Sequence, residues 1–193
     1  MKTHILLSFV LILLQNESYG EEVEPGPEDD KIVGGYKTNI KEFPHQVLLN
    51  MKKGQERHVC GGSILSEKYI LTAAHCVFGF SNITVRAGMT NKDESEKDYG
   101  PLSNTLYATW LEIISSAKCY FKVTPRMICA LRPKRGRNAC NGDSGGALVN
   151  SASKEQLGIV SWGAHEFCTD YPVVYTNIAN KEIRQFIKDH TGI

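Results

Sequence analysis

The residues best suited to chemistry are a serine between glycines and a histidine that follows an apolar run. Ser144 lies in Gly142-Asp143-Ser144-Gly145-Gly146, where a tight turn would expose its hydroxyl and free adjacent backbone N–H groups. Such donors can stabilise an oxyanion by about 3–4 kcal/mol each. His75, in Thr72-Ala73-Ala74-His75-Cys76, can act as general base for a hydroxyl. Each string alone also fits an ordinary glycine-rich turn or a structural histidine.

Six cysteines accompany this pair. They are Cys60, Cys76, Cys119, Cys129, Cys140 and Cys168. An even number behind an apolar leader predicts a disulfide framework, for which six cysteines allow 15 connectivities. His75 beside Cys76 raises the alternative of a zinc site. Paired cysteines in a secreted chain favour disulfides, so neither a metal nor a cofactor is expected.

The N-terminal residues have the pattern of a secretory leader. Lys2 precedes an apolar run from Ile5 to Leu14, and small residues follow at Ser18-Tyr19-Gly20. This pattern predicts a signal peptide over residues 1–20 and an extracellular protein. The apolar run is too short to span a bilayer, which needs roughly 20 apolar residues. A buried core helix is the alternative reading of this run.

A short acidic arm separates the leader from the rest of the chain. Residues 21–31 read EEVEPGPEDDK, which has too little apolar surface to pack and predicts disorder.

The chain as a whole carries a net charge of +1, which gives no reason to expect nucleic acid or an acidic partner.

From Ile32 onward, short apolar runs broken by Gly, Asn and Pro predict an all-β protein. The end of the chain differs, because Ile183, Phe186 and Ile187 have helical spacing and Asn180 is a suitable N-cap. The predicted strands are 46–51, 59–65, 69–73, 83–87, 105–114, 156–162 and 173–177.

Several motifs occur together and in a fixed order. They are Lys31-Ile32-Val33-Gly34-Gly35, Cys60-Gly61-Gly62-Ser63, TAAHC, GDSGG, Ser161-Trp162-Gly163 and Pro172-Val173-Val174-Tyr175. This set resembles the trypsin/chymotrypsin family of serine endopeptidases over most of residues 32–193. The resemblance implies two antiparallel β-barrels of the chymotrypsin type, followed by the C-terminal α-helix.

The resemblance also implies catalytic roles. Ser144 would attack the scissile carbonyl, and His75 would take its proton and return it to the leaving amine. The N–H groups of Gly142 and Ser144 would form the oxyanion hole. The expected partners are protein or peptide substrates and protein inhibitors, with no nucleic acid and no membrane.

An activation switch is implied as well. Cleavage after Lys31, by a trypsin-like protease, would free the Ile32 amine to pair with Asp143 beside the nucleophile. Residues 21–31 would then be an activation propeptide, although a solubilising tail is the alternative.

The same resemblance implies pairings and a specificity pocket. The pairings would be Cys60–Cys76, Cys119–Cys129 and Cys140–Cys168. The pocket would be formed by Asn138, Ser161, Trp162, Gly163 and Val173. Asn138 is uncharged, which disfavours basic substrate residues, and Val173 would narrow the pocket. We therefore expect cleavage after small or medium uncharged residues.

One block of the family's sequence has no counterpart. The segment 83–88 resembles a strand of the first barrel, and 89–113 resembles a part of the second, which locates a junction near Gly88-Met89. The skipped block would carry the triad aspartate and several strands. Asp93 and Asp98 are the nearest acids, but they lie in a polar run. We expect weak or absent activity and two incomplete barrels.

Two other functions remain open at this stage. The chain could be a catalytically silent homologue that binds partners or inhibitors through the old cleft. It could also be a truncated product of splicing or gene prediction.

Overall fold

The computed structural model describes residues 4–7, 13–14, 32–92, 103–132, 138–164, 168 and 170–193. Only backbone pairing is described for 4–7 and 13–14. The predicted propeptide, Lys31, Asp93 and Asp98 lie outside the described residues, as does most of the predicted signal peptide.

The described residues form strands and two α-helices. The strands are β1 (His4–Leu7), β2 (Leu13–Leu14), β3 (Tyr36–Lys37), β4 (Gln46–Lys53), β5 (Glu56–Ile64), β6 (Tyr69–Thr72), β7 (Asn82–Ala87), β8 (Tyr107–Ala108), β9 (Glu112–Ile114), β10 (Met127–Leu131), β11 (Ala147–Asn150), β12 (Gln156–Trp162) and β13 (Val173–Asn177). The helices are α1 (Ala74–Val77) and α2 (Lys181–Thr191), with a 3-10 turn at Ser116–Lys118.

The first sheet has the strand order β1-β6-β5-β4-β7. Strands β4 and β5 pair antiparallel from Gln46–Ser63 to Lys53–Glu56. Alternate β4 residues Val47, Leu49 and Met51 point into the core and are buried, as the period of two in a strand requires. They pack with the buried disulfide of β5 and α1 in one hydrophobic cluster.

The second sheet has the order β2-β11-β12-β13-β10-β9. Its core contains Leu148, Val160 and Tyr175, which are 0–4% exposed. Antiparallel β12 and β13 pair with a register shift between Val160 and Trp162. Such a shift bends a strand and redirects its side chains. Each large sheet is a curled half-barrel, as the predicted fold class requires.

A third hydrophobic cluster joins the two sheets to each other. Leu71 of β6 packs with Ala147 and Val149 of β11, and Ile187 of α2 completes the cluster. The halves therefore share part of their hydrophobic core.

Helix α2 confirms the predicted C-terminal helix and its cap. The Asn180 side chain accepts a hydrogen bond from the Glu182 N–H at 3.1 Å. The helix ends at Gly192, whose φ of 76° is the left-handed conformation that favours glycine.

The predicted strands are found with some changes of bounds. Strands β12 and β13 have the predicted limits, whereas the strand predicted over 105–114 is two short strands, β8 and β9. Between them, Leu111 is 2% exposed, so the apolar run there buries a side chain without continuing the ladder. Strands β1, β2, β3, β10 and β11 were not predicted. No helix in the described part of the chain is long and apolar enough to cross a membrane.

Candidate active site

Two consecutive tight turns carry Ser144. The Asp143 N–H donates to the Cys140 carbonyl at 3.1 Å, and the Gly146 N–H donates to the Asp143 carbonyl at 3.2 Å. Gly142 and Gly145 have φ values of 86° and 84°, which a side chain would strain. The glycines therefore let the chain reverse on both sides of a half-buried serine.

The turn leaves two backbone donors beside the serine. Among the described residues, neither the Gly142 N–H nor the Ser144 N–H donates a hydrogen bond to a protein acceptor. The next N–H, that of Gly145, donates to the Val160 carbonyl at 3.1 Å and ties the turn to β12. Two adjacent donors on an anchored turn can bind a developing oxyanion.

Asp143 lies at the centre of a hydrogen-bond cluster beneath this turn. Its Oδ2 accepts from the Ile32 N at 2.8 Å and from the Cys140 N–H at 2.8 Å. Val33 and Asn138 exchange backbone hydrogen bonds of 2.8 and 3.1 Å, which hold the start of the domain in place. Ile32 itself is 8% exposed. The structure thus brings together Ile32 and Asp143.

Tyr175 lies in the same core and was not among the predicted site residues. It is fully buried, and its hydroxyl has no hydrogen-bond partner in the described part of the protein. Burial raises the pKa of Tyr175 well above its usual value, and the negative charge of Asp143 adds to this. The Val-Tyr of the Pro172–Tyr175 motif was a signal that could have identified it.

His75 is positioned by the short helix that follows β6. It is exposed within α1, and the next residue, Cys76, is buried in a disulfide to Cys60 of β5. Thr72 lies three residues before His75, and its hydroxyl donates a hydrogen bond to the Gly61 carbonyl at 2.8 Å.

Gly61 links the histidine side of the site to the serine side. Its N–H donates to the Ser144 carbonyl at 2.8 Å, while its carbonyl accepts from Thr72. A Cβ on Gly61 would lie 2.9 Å from the Gly146 Cα, which is closer than side chains approach. Backbone contact between the sheets therefore needs glycine here.

The cluster of Cys60, His75 and Cys76 has ligand-type atoms within 4.8 Å of one another. The two sulfurs are bonded to each other, however, so neither is a thiolate. Because zinc needs deprotonated thiols, this cluster is unsuited to metal.

A small pocket opens beside Ser144. Its volume is about 20 Å³, little more than one water needs. Val173 is 6% exposed and fills one side of the pocket. Its Cγ2 lies close to Gly163, since a Cβ built on that glycine would be 3.5 Å from it. The lining residues are Ala139, Cys140, Ser144, Val160, Trp162, Gly163, Ala164, Cys168, Tyr171 and Val173.

Asn138 and Ser161 are absent from this lining among the described residues. The Asn138 amide is fully buried: its Nδ2 donates to the Tyr171 carbonyl at 2.8 Å, and its Oδ1 accepts from the Ala139 N–H at 3.0 Å. Tyr171 and Ala139 line the pocket but were not predicted. The contact that brings Tyr171 there spans 33 residues, so no local pattern could have revealed it.

Aromatic rings border the pocket. The Phe121 and Trp162 ring centroids are 4.9 Å apart, and those of Tyr120 and Tyr171 are 4.5 Å apart. Tyr120 is 68% exposed, so the rings present an open apolar surface next to the pocket.

The structure contains three disulfides, Cys60–Cys76, Cys119–Cys129 and Cys140–Cys168. These are the pairs that the sequence resemblance implies. The last of them joins the turn before Ser144 to the far wall of the pocket.

Comparison with known proteins assigns the family. The sequence model of the Trypsin family matches residues 32–109 and 97–187. This chain belongs to the trypsin family. By family it is a serine endopeptidase, and proteins are its class of substrate.

Curated relatives agree over most of the chain. Trypsin zeta of Drosophila erecta is 30% identical, with 78% of this chain and 83% of the relative covered. Vitellin-degrading protease of Bombyx mori is 28% identical over 98% of this chain and 95% of the relative. A solved structure of HL collagenase has a TM-score of 0.71, covers 84% of this chain and 99% of its own, and is 21% identical, which supports the fold.

One of these alignments also leaves many positions of the relative without a residue in this chain. The alignment with Trypsin 5G1 of Aedes aegypti, 27% identical, covers 86% of that relative and spans 234 positions. It uses 84% of this 193-residue chain, which is about 162 residues. About 72 aligned positions therefore have a residue in the relative and none here.

Proposed function

We propose that this chain is a secreted serine endopeptidase zymogen, activated by cleavage after Lys31, that works slowly through Ser144 and His75 because it lacks the triad aspartate. The observation that carries the proposal is the 2.8 Å contact between the Ile32 N and Asp143 Oδ2. It links the start of the domain to the residue next to the nucleophile.

Cleavage would change the charge of this contact more than its geometry. In the uncut chain the Ile32 nitrogen belongs to the peptide bond with Lys31 and is a neutral donor. Cleavage would convert it into an ammonium group facing a carboxylate. Because a buried carboxylate is costly without a partner, the new pair would favour the turn conformation that Asp143 already has.

The proposed reaction is acyl transfer. Ser144 Oγ attacks the substrate carbonyl while His75 accepts the hydroxyl proton. The Gly142 and Ser144 N–H groups bind the oxyanion, and His75 then protonates the leaving amine. Water then attacks the acyl-enzyme while His75 accepts its proton, and His75 returns a proton to Ser144 Oγ as the acid product leaves.

The proposed loss of the triad aspartate rests on the sequence resemblance and is supported by the alignment. By the resemblance, the block that has no counterpart near Gly88-Met89 is the one in which the family carries that aspartate. The number of unmatched alignment positions, about 72, is large enough to include such a block. In chymotrypsin-type enzymes, disabling the aspartate lowers turnover by about 10⁴. Slow catalysis from the oxyanion donors and His75 would remain.

The pocket supports a preference for small uncharged residues. Its volume of about 20 Å³ and the Val173 isopropyl group exclude large side chains. Asn138 supplies no charge, and both ends of its amide already bond to backbone.

Three disulfides support an extracellular site, because such bonds form in oxidising compartments. A lysine at the activation point supports a trypsin-like activating protease. Protein inhibitors that occupy the cleft are further proposed partners.

The proposal is tested by labelling the serine. The protein is cut after Lys31 by a trypsin-like protease, the new Ile32 terminus is verified by mass spectrometry, and a fluorophosphonate is added. We expect a Ser144 adduct in the cut protein only. The controls are Ser144→Ala, which removes the nucleophile, and Lys31→Gln, which blocks activation.

The absence of an adduct in protein with a verified Ile32 terminus would sink the enzyme proposal. The silent homologue would then be the better account of the chain.

A further inference from the structure

An acceptor sequence for a glycan lies on the outer strand of the first sheet. Asn82-Ile83-Thr84 has the form Asn-x-Ser/Thr with a middle residue other than proline, which is the sequence that receives N-linked glycans in secreted proteins. After the predicted leader, the chain contains no other sequence of this form. Because an oligosaccharide is bulky and polar, its asparagine has to face solvent.

The fold places both polar residues of this sequence on the open face of β7. Ile83 and Val85 pack against the hydrophobic cluster of the first sheet. Since side chains alternate between the two faces of a strand, Asn82 and Thr84 point the other way. Both are exposed, and in the described part of the chain neither side chain takes part in a hydrogen bond. The two groups that the acceptor sequence requires are therefore accessible together.

The neighbouring strand leaves room for a large group at Asn82. This residue is opposite Lys52 at the end of the ladder between β4 and β7. Lys52, Lys53 and Gly54 are exposed, as is Ser81 just before β7. A glycan on the Asn82 amide would therefore extend into solvent at a corner of the sheet.

Strand β7 is also an edge that another chain could extend. It is the terminal strand of the first sheet, and among the described residues it pairs with β4 alone. The backbone groups on its other side are therefore available for strand addition. Ile83, Thr84 and Val85 are β-branched residues that favour an extended strand, and Arg86 is the one charged residue of β7. Such an edge favours pairing between two copies of the chain.

A glycan at this place would cover the edge without occupying the candidate active site. Leu48 of β4 pairs with Gly61, whose N–H donates to the Ser144 carbonyl. Lys52, the residue opposite Asn82, is four residues further along β4, which is about 13 Å in a strand. The acceptor asparagine is therefore separated from the turn at Ser144 by half of β4.

We propose that Asn82 carries an N-linked glycan, and that this glycan shields the edge of β7 from pairing with a second copy of the chain. The donor is a lipid-linked oligosaccharide. The Asn82 amide nitrogen bonds to the anomeric carbon of its first sugar, the bond from that carbon to the lipid diphosphate breaks, and the amide gives up one proton as the diphosphate leaves.

This proposal rests on the secretion that is part of the proposed function, because the transfer takes place in the secretory pathway. It does not rest on proteolytic activity. A chain that fails to label at Ser144 can still carry the glycan.

Mass spectrometry of secreted protein tests the site. The full chain is expressed with its own leader in a eukaryotic cell, and the protein in the medium is digested to peptides. We expect the peptide that contains Asn82 to carry hexose and N-acetylhexosamine, and peptide N-glycosidase to convert the Asn82 amide to a carboxylic acid. An unmodified Asn82 in protein from the medium would overturn the proposal.

A second version of the chain separates this result from a failure of the native leader. It has an unrelated secretory leader in place of residues 1–20. Secretion of this version alone would contradict the predicted leader, and its Asn82 would still show whether the glycan is added. If neither version reaches the medium, the chain is recovered from the membrane-enclosed fraction of the cells and its Asn82 peptide decides in the same way.

Three substitutions of Thr84 test the shielding role at one exposed position. Thr84→Ser keeps the acceptor sequence, so this control should keep the glycan and remain monomeric. Thr84→Ala removes the sequence, and light scattering at rising concentration should then show a mass that approaches roughly twice that of the monomer. Thr84→Lys also removes the glycan but places a charge on the edge, so it should remain monomeric.

Two results would overturn the shielding role. One is a Thr84→Ala protein that stays monomeric at every concentration at which the Thr84→Ser protein is measured. The other is a Thr84→Lys protein that associates as strongly as Thr84→Ala, because the contact would then lie elsewhere than the edge of β7.

Discussion

The half that carries Ser144 and the half that carries His75 are held together differently. The serine half contains two disulfides, a capped helix and a turn anchored by Ile32, Cys140 and Val160. The histidine half contains one disulfide, and its histidine lies on a four-residue helix.

This difference separates two parts of the proposed catalytic apparatus. The proposed oxyanion donors and the proposed activation contact belong to a turn with many internal hydrogen bonds. The histidine follows strand β6, which pairs with β5 at Ser63–Leu71 and Ile64–Ile70. We therefore expect the serine side to keep its geometry under perturbations that displace the histidine.

The largest expected effect is at the anchor of the serine half. Asp143→Asn would leave the Ile32 ammonium of the cut protein buried without a counter-charge, which costs about 3–5 kcal/mol. The rate of fluorophosphonate labelling should fall by at least about 100-fold. Asp189→Asn, an exposed substitution on α2, should label like the unaltered protein. Equal rates for both variants would contradict the anchoring role.

Matched cavities in the two halves test whether they unfold as one unit. Leu148→Ala and Leu49→Ala each remove a fully buried leucine, from the second and first sheets respectively, and should each cost about 2–5 kcal/mol. Because Leu71 joins both halves in one cluster, each variant should shift a single denaturation transition. Calorimetry that resolves two transitions, with one moved by each variant, would show that the halves are independent.

Pocket size is the next effect in magnitude. Val173→Gly removes the isopropyl group that faces Gly163 and should enlarge the pocket. The ratio of labelling by a phenylalanyl to an alanyl phosphonate should rise about 10–200-fold, the range for such pocket changes. Val59→Gly, at a half-buried position of β5 in the other half, serves as control and should leave the ratio unchanged. A ratio unmoved by Val173→Gly would exclude it as the limiting wall.

The smallest effect is a pH dependence that originates in the histidine half. Burial lowers the pKa of His45 below its ordinary value of 6.5, and its Nε2 has no partner among the described residues. The unfolded chain therefore binds more protons below pH 6.5, so the free energy of unfolding should fall as pH drops through that value. His45→Gln should flatten this dependence in urea titrations.

His190→Gln on α2 is the control and should leave the dependence of the unaltered protein in place. A His45→Gln profile that matches the unaltered protein would assign the dependence to another group.

The sequence predicted the elements that are long and periodic. Strand β13 and helix α2 were found at or near their limits because their apolar spacing extends over several residues. Strand β11 was missed, since four residues beside a glycine-rich turn carry little pattern.

The site could be predicted only in part, because sequence motifs identify some of its residues and not others. The pair Ile32 and Asp143 followed from motifs, although 111 residues separate them. Trp162, Gly163 and Val173 of the pocket lining also followed from motifs. Tyr171 did not, because it is brought to the pocket by its backbone contact with the Asn138 side chain. The burial of the Tyr175 hydroxyl without a partner among the described residues could not be predicted either. It results from packing between several strands, which no local sequence pattern encodes.

The glycine contact between the halves also limits how the sequence can vary. A Cβ on Gly61 would meet the Gly146 Cα at 2.9 Å, and the Gly61 N–H bonds to the carbonyl of Ser144. No rotamer change can relieve a collision between two main chains. A protein library that varies both halves should therefore recover glycine at 61 under selection for folding, whatever residues are chosen on the surrounding surface.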